Sequence, residues 1–343
     1  MNTTPRKLLS FAAIIGIGTA LLATPGFAAD KIKLGQLRGA NVSFVATEKG
    51  FYAEQGIEVE TVFFRSGAAL VPALSTGQID VAMTSAGAAL YNAMAQGINA
   101  RIVASYSVAD LGRPGGDPNA ISVRQDLLDS GKVKTAKDLK GMTIAITARG
   151  QFTDLFVSEL LKSAGLTEND VRIVSMPYPD MVAAFQGKSI DAASMLDPYL
   201  TTAETQKIAS PLMRLSKLLP GYTLGVVMYG DRVGKENRDL GMRFMRALHK
   251  ANAYVRKVID TEAGRNEIAA IYQKHVPQRS VDVYANPKMG ESLGRATLAA
   301  DVDGPHGLRW QLEWSTAQKL VPKAPDLNKA IDNTFAAAAD KGS

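Results

Sequence analysis

The 343-residue chain has no cysteine and only three histidines. Without cysteine there is no disulfide, no thiolate metal site, no cysteine nucleophile and no lipid attached through sulfur. The histidines, His249, His275 and His306, all fall in the C-terminal third, so general-base chemistry has few candidates. Charge is sparse too: 21% of residues are charged, and 39 basic residues nearly balance 33 acidic ones without clustering. A nucleic-acid partner is therefore not expected. Beyond Leu22 no apolar run approaches the roughly 20 residues that a membrane-spanning helix needs. No HExxH, paired-histidine or EF-hand pattern occurs, so no metal site is expected. Gly230 to Lys235 lacks the spacing of a phosphate-binding loop. Met83-Thr84-Ser85-Ala86-Gly87 frames a serine much as a nucleophile elbow does, but methionine stands where the first glycine is required. No catalytic residue and no cofactor is expected.

The N-terminus carries an address. Arg6 and Lys7 precede an apolar run from Leu8 to Leu22, and small residues follow around Pro25-Gly26. Residues 1–28 read as a secretory signal peptide cleaved after Ala28, with Ala29 the nearby alternative. The apolar run is too short to anchor the chain in a bilayer. Removing Arg6 and Lys7 leaves 37 basic against 33 acidic residues, a modest +4. The mature chain is expected to be periplasmic and without a lipid anchor. It is too long for one simple core and of the right length for two lobes.

Periodicity supports that division. Strands are expected at Lys31–Gln36, Ile57–Phe64, Ile79–Thr84 and Ala100–Tyr106, with helices at Val42–Glu54, Ala68–Ser75 and Ala88–Gln96 between them. Alternation of this kind gives a mainly parallel sheet flanked by helices. Leu111–Asn119, rich in Gly, Pro and Asp, marks a connection. The pattern then restarts, with strands at Ala120–Arg124, Thr143–Thr147, Val171–Ser175 and Ser189–Met195, and helices at Ala136–Lys140, Thr153–Ala164 and Met181–Gln186. Gly165 closes the second of these helices. The last third is mainly helical, and Leu240–Ile259 is its longest periodic segment. The halves also match at equal spacing: Ala73-Leu74 leads to Ile79-Asp80 as Ala184-Phe185 leads to Ile190-Asp191. Continued without gaps, the match sets Ser85-Ala86 opposite Leu196-Asp197. Both pairs follow a strand, where open α/β sheets bind ligands.

Gly50-Phe51-Tyr52-Ala53-Glu54-Gln55-Gly56-Ile57-Glu58-Val59 resembles the opening of periplasmic substrate-binding proteins of ABC importers, the type serving nitrate, sulfonates, taurine and thiamine-pyrimidine precursors. Leu74–Asp80 (LSTGQID), Asp138–Gly141 (DLKG), Ala183–Asp191 (AAFQGKSID) and Asp197-Pro198-Tyr199 follow in that family's order, over roughly residues 30–230. The resemblance implies the α/β, type II, two-lobed binding-protein fold with a two-strand hinge. Lobe 1 would comprise 29–119 and 225–343, and lobe 2 would comprise 120–224. It also implies a small-molecule ligand, a membrane permease as partner, a monomer, and capture without chemistry. A sulfonate- or taurine-like ligand, anionic or zwitterionic, is the first expectation. A thiamine-pyrimidine-like or aromatic ligand, a periplasmic sensory role, and an enzyme on the same scaffold stand as alternatives.

Ligand-binding candidates are the loops after strands. Arg38, Gly39 and Asn41 follow the first strand, although Asn41 also suits a helix N-cap. Ser43 and Phe44 come next. Ser66, Gly67 and Ala68 open a helix where an anion would meet free backbone N–H groups, and Ser85 and Ala86 end a strand. Arg149, Gly150, Gln151, Phe152 and Thr153 form the matching loop of the second half. There Arg149 offers a bidentate clamp for a carboxylate or sulfonate, or else a solvated surface arginine. Asp197 suits an amine, or an ion pair with an arginine. Tyr106 and Tyr222 offer aromatic walls.

Overall fold

The computed structural model describes residue 1 and residues 29–37, 39–64, 67–109, 117–276 and 304–341. Residues 2–28 of the expected export signal and residues 111–116 of the expected connection lie outside these. No helix among the described residues is long and apolar enough to cross a membrane.

The first unit runs β1 (Asp30–Leu37), α1 (Val42–Glu48), α2 (Phe51–Glu54), β2 (Ile57–Phe64), α3 (Gly67–Ser75), β3 (Val81–Ser85), α4 (Ala88–Ala95) and β4 (Ala100–Val108). The second runs β5 (Asn119–Arg124), α5 (Gln125–Asp129), β6 (Thr143–Ile146), α6 (Phe152–Ser163), β7 (Arg172–Ser175), α7 (Tyr178–Gln186), β8 (Ala192–Leu196), α8 (Tyr199–Thr205) and β9 (Ala209–Arg214). After α9 (Leu215–Leu218), β10 (Thr223–Gly230) returns to the first unit. The chain then continues through α10 (Arg238–Val258), α11 (Glu262–His275), α12 (Leu308–Ala317), α13 (Leu327–Ala330) and α14 (Thr334–Lys341).

Two five-stranded sheets result, ordered β2-β1-β3-β10-β4 and β7-β6-β8-β5-β9. Their topologies are the same. In each, only the fourth strand runs against its neighbours. That strand, β10 or β5, enters the sheet directly after the chain has crossed between units. The two crossings lie side by side, with Ala109 N–H donating to the Tyr222 carbonyl and Gly221 N–H to the Ala109 carbonyl, each at 2.8 Å. The molecule is the expected two-lobed α/β fold.

Each sheet has apolar clusters on both faces. In the first lobe, α10 buries Leu240, Phe244, Leu248, Ala251 and Val255 against one face, beside Phe44 and Tyr229. The spacing of four, four, three and four keeps them on one helical stripe. Leu70, Leu90 and Tyr91 fill the opposite face. Phe156 and Leu160 do so in the second lobe, with Met181 and Phe185 across the sheet.

The internal repeat recurs in hydrogen-bond detail. Asp80 N–H donates to the Lys33 carbonyl while its carboxylate accepts from Lys33 N–H at 2.8 Å. Asp191 does the same with Thr143, its carboxylate accepting at 3.0 Å. Each carboxylate also meets an arginine, Arg232 at 2.9 Å and Arg124 at 3.2 Å. The preceding turns match as well, with Gly77 at φ 72° and Lys188 at φ 56°.

These turns explain why β3 and β8 begin at Val81 and Ala192 rather than at Ile79 and Ser189. The single helix expected over Val42–Glu54 is broken, because Gly50 takes φ 74° between α1 and α2. The edge strand β9 contains Pro211, which an edge tolerates but which hides the strand in the sequence.

Replacing Asp80 with alanine strands a backbone donor and Arg232. Urea unfolding should show a loss of about 1–3 kcal/mol, and Asp80→Asn should lose less. A loss below about 0.5 kcal/mol, the scatter of ordinary surface changes, would contradict the role given to Asp80.

Candidate binding site

β1, β3, β6 and β8 point their C-terminal ends the same way within each lobe, and the reversed strands begin there. Gly225 of β10 therefore lies opposite Ser85, and Asn119 of β5 opposite Leu196. The loops at these ends are the expected ligand loops.

In the first lobe, Arg38 and Ser66 lie outside the described residues, as does the Ala68 side chain. Gly39 is partly exposed after β1. Asn41 is buried and caps α1, its Oδ1 accepting from Ser43 N–H at 3.0 Å. Ser43 in turn donates from Oγ to Gln36 Oε1 at 3.2 Å. Gly67 opens α3 against β3, where a Cβ would fall 2.7 Å from Thr84 Oγ1. Ser85 is exposed at the end of β3 and Ala86 is buried behind it. Gly87 then starts α4 without any side-chain cap. The Tyr106 ring covers Gly225 so closely that a Cβ there would lie 2.5 Å from it. Burial pushes the Tyr106 hydroxyl up to about 12, so it stays a neutral donor at physiological pH.

In the second lobe, Arg149 Nη1 donates to Asp154 at 3.0 Å and to Glu168 at 2.5 Å. The guanidinium is half-exposed and braced by two carboxylates, so any ligand must share it with them. Gly150 adopts φ 72°, and its N–H donates to the other Asp154 oxygen at 2.8 Å. Asp154 thus folds the loop tightly before α6. Thr153 is buried, its Oγ1 accepting from Thr147 N–H at 3.0 Å. Gln151 is exposed and leaves α6 without a side-chain cap. Phe152 packs between Phe156 and Tyr222, with centroids 5.6 and 5.3 Å away. The Asp197 carboxylate accepts from Thr201 N–H at 3.0 Å and from its hydroxyl at 2.7 Å.

Asn41, Thr153 and Asp197 thus hold the loops in shape, whereas Ser85 and Gln151 face solvent. Sequence reasoning passed over Asp117 and Arg214. Buried Asp117 accepts from Asn119 N–H at 3.0 Å and from Ser216 N–H, while Arg214 reaches the Asp117 carbonyl at 2.8 Å and Glu204 at 3.0 Å. This network fixes the lobe-2 end of both crossings. Its only sequence signal is an aspartate within a Gly- and Pro-rich stretch, which reads as a linker.

The histidines sit elsewhere. His275 stacks on Phe44 at 4.5 Å and meets Glu48 at 2.9 Å, and His306 meets the Pro220 carbonyl at 2.8 Å. The described residues contain no cluster able to hold a metal ion.

Known proteins share this architecture. A Bacillus subtilis (strain 168) protein named as an aliphatic sulfonates-binding protein is 25% identical over 313 residues, 89% of this chain and 86% of that one. The crystal structure of the periplasmic aliphatic sulphonate binding protein SsuA from Escherichia coli matches with a TM-score of 0.73 at 21% identity, covering 88% of this chain and 92% of that one. The desulfurization enzyme DszB matches with a TM-score of 0.67 at 14% identity, covering 91% of this chain and 99% of that one. At such identities these two structures share the fold alone, which therefore carries both a binding protein and an enzyme. The model of the NMT1-like family matches residues 30–273. The chain is a member of the NMT1-like family.

Proposed function

We propose that this chain is an exported solute-binding subunit of an ABC importer, holding a small organic sulfonate or taurine-like zwitterion between its lobes. The lobes divide close to the expected bounds of 119/120 and 224/225, with β5 of lobe 2 beginning at Asn119 and β10 of lobe 1 at Thr223. The observation that carries the reading is a contrast among helices at the ligand ends of the strands. Asn41 caps α1 with its side chain, but α4 and α6 begin at Gly87 and Gln151 with no side-chain cap. Their first N–H groups and positive dipole ends are left for an anion, one helix in each lobe. The names of the Bacillus and Escherichia proteins point to the same ligand class. Ser85 and Gln151 add uncharged donors beside these helix ends, and the neutral Tyr106 hydroxyl adds another.

Binding requires no chemistry in this reading. Closure about the paired crossings excludes water, strengthens the N–H contacts and presents a closed shape to the permease. The protein works as a monomer.

Taurine, butane-1-sulfonate, an aromatic carboxylate and an aminopyrimidine, each added to the purified protein, separate the ligand classes. A sulfonate or taurine at a hundred times its Kd should add about 2.7 kcal/mol of stability, a Tm rise of several degrees. A rise with the aminopyrimidine alone would move the ligand to the thiamine-pyrimidine type. No rise with any of them, together with turnover of a test ester, would replace the binding reading by an enzymatic one.

Arg149 shares its charge with Asp154 and Glu168, so its contribution to anion binding is smaller than that of an unshared clamp. Arg149→Ala should weaken butane-1-sulfonate by roughly threefold to tenfold, the range of a single partly screened charge contact. The fold should stay intact by circular dichroism. Unchanged affinity in calorimetry would make Arg149 a brace for the loop and nothing more.

A further inference from the structure

Helix α12 lies between the lobes with one face for each. Leu308 and Leu312 are buried in the first-lobe cluster with Leu90 and Tyr91. Trp310 and Trp314 pack on the second-lobe cluster with Phe156 and Tyr222. At 3.6 residues per turn, the leucine pair and the tryptophan pair project from roughly opposite sides. A helix serving one lobe alone would show a single apolar stripe.

The same segment reaches the ligand loops of both lobes. On the first-lobe side its partners come from α4, the helix that Ser85 and Gly87 lead into. Tyr91 donates its hydroxyl to the Leu308 carbonyl at 3.1 Å, and Asn92 donates to the Leu320 carbonyl at 2.8 Å. On the second-lobe side, the Leu320 side chain lies 3.1 Å from where a Cβ on Gly150 would stand. Trp310 meets Tyr222 edge-on at 6.3 Å, and Tyr222 meets Phe152 at 5.3 Å. Tyr222 is itself part of the crossing pair. Any rotation of one lobe about the crossings must therefore slide one face of this segment.

We infer that residues 304–320 are a positioning segment. Through Trp310 and Leu320 they set the angle between the lobes, and with it the ligand affinity, without touching the ligand. The inference rests on the two-lobed binding reading. Apparent affinity is the intrinsic affinity multiplied by the fraction of binding-competent molecules, so a contact that biases the angle changes affinity from a distance.

The absence of native cysteine makes the test direct. Gln78→Cys and Lys137→Cys place spin labels on an exposed turn before β3 and an exposed short 3₁₀ helix (Ala136–Leu139) before β6, at the ends of the two lobes remote from the ligand loops. Without any ligand, Trp310→Ala and Leu320→Ala should shift or broaden the distance distribution between the labels. Trp310→Phe, which keeps a ring against Tyr222, should restore it. If Trp310→Ala does not fold, Leu320→Ala carries the measurement. Distributions superimposable on that of the labelled parent would overturn the inference.

Calorimetry with butane-1-sulfonate separates this from the binding reading. Both alanine variants should change its Kd at least threefold, about 0.65 kcal/mol, while Trp310→Phe should not. Binding that is unaltered by every variant, with unaltered distances, removes the positioning role and leaves the binding reading standing. Altered distances without any sulfonate binding to the parent remove the sulfonate reading and leave the positioning role standing.

Discussion

The hydrogen bonds that tie Ala109 to Tyr222 and Gly221 hold the two chain crossings side by side, and much of the molecule follows from them. Each crossing delivers a strand into a sheet it did not start in. That strand must run against its neighbours, so β5 and β10 both begin at the end where the parallel strands finish. Crossings and strand ends are thereby brought to the same edge of each lobe. Asp117 and Arg214 secure the crossings on one side, and Tyr222, packed among Phe152 and Trp310, secures them on the other. The backbone pair sets the axis about which the lobes can turn, and the side chains packed around Tyr222 restrain that turn.

Away from the crossings the two lobes are anchored by one device used twice. Asp80 and Asp191 each clamp the start of a strand to its parallel neighbour and to an arginine. Both lie at the ends of their strands remote from the ligand loops. Firm strand starts give each lobe a fixed base, and at the other end α4 and α6 begin without a side-chain cap. In the proposed binding reading, ligand specificity depends on the loops, while the bases keep the loops in register.

The parts of this arrangement that the sequence discloses are those whose signal is local. Alternation placed most strands, Gly165 closed α6, and the spacing from Ala73 to Asp80 and from Ala184 to Asp191 disclosed the duplicated turn. Site residues were less legible, because Ser, Thr, Asn and Asp after a strand suit a cap as well as a ligand. Asn41, Thr153 and Asp197 hydrogen-bond to backbone N–H groups of their own loops, whereas Ser85 and Gln151 face solvent, and no sequence pattern separates the two groups. Arg149 reads in the sequence as a bidentate clamp or a solvated arginine, and neither reading includes Glu168, nineteen residues on, which the fold sets against it. The two-faced character of α12 is hidden as well: Leu308, Trp310, Leu312 and Trp314 alternate with polar residues, and only helical geometry puts the leucines and the tryptophans on opposite sides.

The central claim is that one ligand is held by the strand ends of both lobes together. Hydrogen exchange with and without saturating butane-1-sulfonate tests it most directly. The account predicts slower exchange in peptides covering residues 85–90 and 147–155 at once, with no change at the turns before Asp80 and Asp191. Protection confined to one lobe, or appearing at those turns instead, would contradict it.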